Sequence, residues 1–120
     1  MSYTAFVIDE ISRKQLLQRY KPKFTDVYAH HVTFQMGENV ELLNYKPMIV
    51  IYGYIMGENI ETLLVTVDGR SNRPDGSKYH ITWSLDKSKG VKPVDSNKLI
   101  KNREPIILVP CIVKGDMKIC

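Results

Sequence analysis

The segment PMIVIYGYIMGENIETLLVTVDG, residues 47–69, contains two apolar runs separated by the short stretch 57–59, Gly-Glu-Asn. Both runs are rich in β-branched and aromatic residues, which favour strands, and a short connection that contains glycine is typical of a β-hairpin. The segment therefore predicts a long antiparallel hairpin. Because glycine inside a strand often marks a bulge or a close backbone approach, we expect an irregularity at Gly53.

Shorter apolar runs on both sides of this hairpin predict further strands, at residues 3–8, 28–36, 79–85 and 105–113. Pro110 interrupts the last of these runs and cannot donate a backbone hydrogen bond. We therefore expect an edge strand or a bulge at that position.

One clear helix is expected in residues 11–20, before Pro22, and a shorter second helix from Asp95 to about Lys101. In the first helix, Ser12 and Gln15 have the spacing of a capping box. Its apolar positions have a roughly helical spacing and comprise Ile11, Leu16, Leu17 and Tyr20. Several strands with so few helices predict an α+β fold with antiparallel sheets, rather than a parallel, doubly wound sheet.

The chain of 120 residues, 43% hydrophobic and 25% charged, has the size and composition of one globular domain spanning residues 1–120. Its two cysteines, Cys111 and Cys120, do not make a disulfide framework and suit a reducing compartment. The first residues do not read as a secretion signal, and the apolar runs are shorter than a membrane span. We therefore expect a cytoplasmic protein, in the host cytoplasm if the protein is viral, without a membrane or an obligate protein partner.

The formal net charge of +4 favours anionic partners such as nucleotides, RNA or phosphate esters. Two of the three histidines lie in the same sequence frame, HVTF at 31–34 and HITW at 80–83, and each frame is in a predicted strand. Because side chains alternate across a strand, each histidine shares a face with the threonine two positions later. Each strand would thus present an imidazole and a hydroxyl on one face and apolar side chains on the other.

Two imidazoles with pKa values near ~6.5 suit phosphodiester chemistry, because one can deprotonate a nucleophile while the other protonates the leaving oxygen. Threonine hydroxyls can donate hydrogen bonds to the phosphate oxygens on which charge develops. This arrangement requires neither a metal nor a cofactor. The sequence leaves open which histidine is the acid and which is the base, and we take His80 as the base and His31 as the acid. His30 should point away from His31 on the strand, and we expect it to be solvated or hydrogen bonded.

The paired frames resemble the His-x-Thr motifs of the 2H phosphoesterase superfamily. Its members include LigT-like RNA cyclic phosphodiesterases, the cyclic phosphodiesterase domains of tRNA ligases, and phage enzymes that degrade cyclic oligonucleotide signals. The resemblance implies two small lobes around a central cleft, one motif in each lobe, and metal-independent cleavage. It makes His31 and His80 the catalytic pair and Thr33 and Thr82 the phosphate-binding hydroxyls. A compact viral member fits the short chain.

The implied substrate is a cyclic phosphate or a 3′–5′ linkage in a nucleotide, a cyclic oligonucleotide or an RNA end. The polar loop before the second frame contains Arg70, Arg73 and Lys78, which could bind a phosphate or simply form a solvated surface. Tyr54 is a candidate for stacking on a base, although packing in the core is the more common role of such a residue. Trp83 should face away from the cleft into the core.

Two other functions are compatible with the same residues. A non-catalytic protein could sequester RNA or a cyclic nucleotide, with the histidines and threonines acting only as hydrogen-bonding groups. A structural or protein-inhibiting viral protein would be favoured if His31 and His80 were distant in space.

Overall fold

The structure is a computed structural model that describes residues 2–120. The strands are β1 (Tyr3–Ile8), β2 (Asp26–Val27), β3 (His31–Met36), β4 (Ile49–Met56), β5 (Ile60–Val67), β6 (His80–Leu85), β7 (Ile106–Val113) and β8 (Gly115–Ile119). The helices are α1 (Glu10–Arg19) and α2 (Asp95–Asn102), with short 3-10 helices at Val40–Asn44 and Lys87–Lys89. No helix formed by residues 2–120 combines the length and apolar character needed to cross a bilayer.

The strands form two antiparallel sheets, one in the order β3-β1-β8 and the other in the order β2-β6-β5-β4-β7. The predicted α+β class with antiparallel sheets is confirmed. The second helix, α2, is as short as expected, so the fold contains two helices beside the two sheets.

The predicted hairpin is present as β4 and β5, and the Gly57 amide donates to the Ile60 carbonyl oxygen at 2.7 Å to close its turn. The register shifts between Ile51 and Gly53 on both sides of β4, which confirms the expected irregularity. β7 is the edge strand of the larger sheet, and Pro110 lies where its pairing with β4 is interrupted. The prediction from Pro110 is therefore confirmed.

The last strand, β8, was not predicted from the sequence. After β7 the chain leaves the larger sheet, and β8 pairs with β1 in the smaller sheet. Gly115 makes this close approach possible, because a Cβ there would lie 2.1 Å from the Val7 carbonyl oxygen. The C-terminal segment thus ties the two sheets together.

The N-cap of helix α1 lies about one turn earlier in the sequence than expected. Asp9 is the N-cap and accepts a hydrogen bond from the Ser12 amide at 2.7 Å, so the predicted capping box at Ser12 and Gln15 is wrong. Leu16 is buried as expected, whereas Ile11 is 74% exposed. Because a helix buries only one stripe of side chains, Leu16 lies on the buried stripe of α1 and Ile11 lies on its solvent face.

A continuous apolar core fills the space between the two sheets. The smaller sheet contributes Phe6, Val32, Phe34 and Met117, and the larger one contributes Ile49, Ile51, Leu63, Val65, Ile81 and Trp83. Trp83 is fully buried and donates from Nε1 to the Tyr20 carbonyl oxygen at 2.7 Å. The inward positions of β3 and β6 are thus the apolar ones, as the alternation predicts.

The predicted strand 28–36 is in fact two segments that belong to different sheets. The amides of Tyr28 and Ala29 donate to Trp83 and Thr82 on β6, whereas the next carbonyl, of His30, accepts from Ile8 on β1. Ala29 is buried and has a φ of 45°, a left-handed conformation uncommon for a residue with a Cβ. We call residues 28–30 the crossover segment, because the chain passes there from the larger sheet to the smaller one.

Helix α1 supports the crossover segment through one side chain. Arg13 donates from Nε to the Ala29 carbonyl oxygen at 2.9 Å and from Nη2 to the Tyr28 carbonyl oxygen at 3.1 Å. These two carbonyls lie where the chain leaves the ladder of β6, and the guanidinium satisfies them. The crossover segment places β3, with the first frame, next to β6, with the second.

Candidate functional site

A cavity of about 470 Å³ lies where β3 of the smaller sheet meets β6 of the larger one. Both sequence frames line it, with His31 and Thr33 from one sheet and His80 and Thr82 from the other. The apolar residues of the two frames, Val32, Phe34, Ile81 and Trp83, are buried in the core on the opposite faces. The two imidazoles and two hydroxyls are thus brought to one cavity, as expected.

His80 has a backbone partner that determines which ring nitrogen carries its proton. Nδ1 lies 3.0 Å from the Lys78 carbonyl oxygen, which can only accept, so Nδ1 is the donor. In the neutral ring Nε2 is then free to accept a proton. Burial lowers the pKa of His80, the hydrogen bond to Lys78 opposes this shift, and the positive charge of Arg73 adds to it. His80 is therefore neutral near pH 7 and has the form of a base.

His31 has a different neighbour, its sequence neighbour His30. The two Nδ1 atoms lie 3.0 Å apart, so one ring donates and the other accepts. Burial, followed by the positive charges that His30 and His80 can carry, lowers the pKa of His31 to about 4. The Tyr3 ring also lies against His31, with ring centroids 5.1 Å apart.

This geometry corrects the expectation for His30. It precedes β3 instead of lying on it, so the alternation rule that pointed it away from His31 does not apply. The left-handed turn at Ala29 directs the chain so that His30 also lines the cavity. When His30 is the donor, neutral His31 carries its proton on Nε2, and that atom can donate to a ligand.

The two threonines differ in their hydrogen bonds. Within residues 2–120, the Thr33 hydroxyl has no hydrogen-bond partner and remains available to a ligand. The Thr82 hydroxyl lies 2.8 Å from Ser96 Oγ at the start of α2 and 3.4 Å from the Pro93 carbonyl oxygen. Of the two candidate phosphate-binding hydroxyls, that of Thr82 is thus held by a hydrogen bond with Ser96, whereas that of Thr33 is not.

The polar loop contributes one of its three cations to the cavity lining. Arg73 lies there, held by Asp75 Oδ2 at 3.0 Å from Nη2 and by Ser77 Oγ at 2.6 Å from Nε. Arg70 instead lines a second depression that also includes Tyr45 and Asp68. The backbone carbonyl of Lys78 accepts the hydrogen bond from His80, but the Lys78 side chain does not line the cavity.

Tyr54 does not line the cavity, contrary to the expectation that it stacks on a base there. Its hydroxyl donates at 2.6 Å to Oε1 of Glu61, a carboxylate that is 1% exposed. Burial and this hydrogen bond raise the pKa of Tyr54. The other carboxylate oxygen of Glu61 accepts from the Ser84 hydroxyl and from the Lys23 amide. Tyr54 therefore belongs to a structural network that holds the segment after α1 on the larger sheet.

Several cavity residues were not identified from the sequence, namely Tyr3, Tyr28, Met36, Pro93, Val94 and Asn97. They come from β1, the crossover segment, the end of β3 and the start of α2. No spacing in the sequence connects them to the two frames. Among the residues that the structure describes, no group of three or more His, Cys, Asp or Glu side chains is arranged to hold a metal ion.

No protein-family model, curated protein or solved structure matches this chain. Conclusions about function therefore depend on the chemistry of the cavity and on the resemblance of its two frames to a known motif.

Proposed function

We propose that the protein is a metal-independent phosphodiesterase of the 2H type. Its substrate would be a cyclic phosphate or a 3′–5′ linkage in a nucleotide, a cyclic oligonucleotide or an RNA end. The observation that carries the proposal is that both His-x-Thr frames, from two different sheets, line a single cavity. In this proposal the two sheets are the two lobes of the 2H architecture.

In the proposed reaction His80 is the general base. Its Nε2 takes a proton from water, or from a ribose 2′-hydroxyl where one is the nucleophile, as the oxygen attacks phosphorus. The bond from phosphorus to the leaving oxygen breaks, and that oxygen takes the proton from Nε2 of His31. The hydrogen bond from His80 Nδ1 to the Lys78 carbonyl supports this direction, because it fixes the tautomer that leaves Nε2 basic.

His31 acts as the acid once an anion is bound. Without ligand, its pKa of about 4 keeps it neutral at pH 7. A phosphodiester carries a negative charge, and an opposite charge within about 4–6 Å favours the protonated imidazole. Substrate therefore raises the pKa of His31 towards the range in which a histidine is an efficient acid.

The remaining groups of the cavity stabilise charge on the non-bridging oxygens. Thr33 and Thr82 each offer a hydroxyl, and Arg73 offers a guanidinium near His80. Hydrogen bonds to charged oxygens are about twice as strong as neutral ones, so they strengthen as charge builds up in the transition state.

The proposal is tested by assaying nucleoside 2′,3′-cyclic phosphates and cyclic dinucleotides in the presence of EDTA. His31→Ala and His80→Ala should each reduce kcat by at least about 100-fold, the usual contribution of a positioned acid or base. Lys98→Ala, an exposed position on α2, is the control and should leave kcat unchanged. Circular dichroism establishes that both histidine variants are folded. Hydrolysis that persists in both would overturn the mechanism.

A second candidate function is favoured by one observation. The lowered pKa values of His31 and His80 leave both rings neutral near pH 7, which suits hydrogen bonding to a ligand that is not cleaved. Such a protein would sequester RNA or a cyclic nucleotide. Recovery of a bound cyclic dinucleotide unaltered after prolonged incubation would support sequestration and contradict the phosphodiesterase.

A further inference from the structure

Behind Thr82, a row of three hydroxyls runs from the cavity into the protein. Thr82 Oγ1 lies 2.8 Å from Ser96 Oγ, which lies 2.9 Å from Thr62 Oγ1 on β5. Ser96 and Thr62 are fully buried. We call these three residues the hydroxyl chain, and only its Thr82 end lines the cavity.

The number of protons restricts how the hydroxyl chain can be arranged. Each hydroxyl has one proton to donate, and Thr62 can direct its proton either to Ser96 Oγ or to a backbone carbonyl. In the inward order, Thr82 donates to Ser96, and Thr62 donates to the Ile81 carbonyl oxygen at 3.2 Å. In the outward order, Thr62 donates to Ser96 and Ser96 to Thr82, whose own proton is then directed to the Pro93 carbonyl or to the cavity.

We propose that Ser96 is a positioning residue that turns the Thr82 hydroxyl towards a phosphoryl oxygen. By donating to Thr82 Oγ1, Ser96 occupies one of its acceptor sites, so the single Thr82 proton must point elsewhere. The Pro93 carbonyl, at 3.4 Å, is a distant acceptor. A charged phosphate oxygen is a much stronger one. Phosphate binding thus selects the outward order, in which the whole chain supports one donor at the substrate.

This inference rests on the proposed function in one respect, namely that the ligand of the cavity is a phosphate ester. It adds a role for a residue that lies outside the cavity and that the two motifs do not contain. A serine that only packs α2 against β5 would fill space there, and its oxygen would make no difference to the Thr82 proton.

The test is a double-mutant cycle that combines Ser96→Ala with Thr82→Val. Ser96→Ala alone should reduce kcat/KM about 10-fold, the effect of impairing one hydrogen bond to a charged oxygen, and mostly through kcat because that charge grows in the transition state. In the Thr82→Val background the same change should have no further effect on kcat/KM. Ser12→Ala, a buried serine at α1 that accepts from the Lys114 amide at 3.3 Å, is the matched control and should leave activity unchanged.

Additive losses in the double variant, or unchanged activity in Ser96→Ala, would overturn the inference. So would an equal loss in Ser12→Ala, because packing alone would then explain both.

Binding of inorganic phosphate, followed by NMR at the Thr82 amide, separates this inference from the proposed function. Wild-type protein that binds phosphate without hydrolysing esters, and whose binding weakens about 10-fold in Ser96→Ala, refutes catalysis but supports the role of Ser96. Protein that neither binds nor hydrolyses refutes both.

Discussion

The two His-x-Thr frames have the same sequence pattern but different surroundings. In the β6 frame, His80 donates to a backbone carbonyl and Thr82 is held by the hydroxyl chain. In the β3 frame, His31 faces another titratable ring, and among residues 2–120 the Thr33 hydroxyl has no partner. The hydrogen bonds of the β6 frame are therefore fixed by the fold, whereas those of the β3 frame depend on the protonation of His30 and His31.

This difference indicates how two equal motifs can take unequal roles. A backbone carbonyl cannot change its hydrogen-bonding character, so His80 keeps one tautomer. The ring of His30 can donate or accept, so His31 can exist in either tautomer or as a cation. A fixed tautomer suits a base, and an adaptable one suits a group that gains a proton when an anion arrives.

The strongest test of this comparison is to replace each histidine and record the pH dependence of kcat, which reports the pKa values of the substrate complex. His80→Gln and His31→Gln should each cost at least about 100-fold at the optimum. The two losses should differ in form, since His80→Gln removes the rise of activity from low pH and His31→Gln removes its fall at high pH. Identical residual profiles for both variants would contradict the separate roles.

The next largest effect is expected in the crossover segment, which places the frame on β3 next to the frame on β6. Arg13→Met removes both donors to the crossover segment and leaves the Tyr28 and Ala29 carbonyls unpaired, at a cost of about 1–3 kcal/mol in the free energy of unfolding. Urea denaturation measures it. Arg103→Met is the matched control, because Arg103 donates one exposed bond to the Met56 carbonyl at 3.2 Å. Equal losses in the two variants would mean that the crossover segment does not depend on Arg13.

A smaller difference should separate the two threonines. Thr33→Val and Thr82→Val should each reduce kcat/KM about 10-fold, because each removes a donor to a phosphate oxygen. Only Thr82→Val should also lower stability, by about 1 kcal/mol, because it removes the end of a buried hydrogen-bonded chain. Parallel thermal melts and kcat/KM values test this contrast. A similar destabilisation by Thr33→Val would contradict the difference between the frames.

The smallest effect is expected in the pH dependence of stability without ligand. The folded protein resists protonating His31, with a pKa of about 4, whereas the unfolded chain accepts a proton near the ordinary histidine pKa of ~6.5. The unfolded state therefore binds more protons in this window, and stability should fall as the pH decreases from about 6.5 to about 4. Urea midpoints measured across this range should fall less steeply in His31→Gln. An unchanged slope would show that His31 is not the group responsible.

The sequence predicts the local structure well where side-chain pattern and backbone preference agree. The hairpin at 47–69, the edge strand at Pro110 and the faces of both frames follow from β-propensity, alternation and the missing proline donor. These signals act over two to ten residues. They are the same in any fold that buries one face of a strand.

Features that depend on distant partners were not predictable in this way. Nothing in the composition of residues 28–36 marks the left-handed turn at Ala29, because the signal for a strand is continuous across it. Ser96 reaches Thr82 only through the docking of α2, and Tyr54 is hydrogen bonded to the buried Glu61 outside the cavity. Tertiary hydrogen bonds, absent from local propensity, decide these positions.

The crossover segment also has a consequence for how the protein folds. The hydrogen bond from the Tyr28 amide to the Trp83 carbonyl, at 2.9 Å, joins parts of the chain separated by the whole β4–β5 hairpin. The hairpin closes a short loop, whereas this contact must close a long one, and long-range closure slows folding. We therefore expect the hairpin to form early and the cavity late. A transient folding intermediate would then have native strands but no assembled cavity.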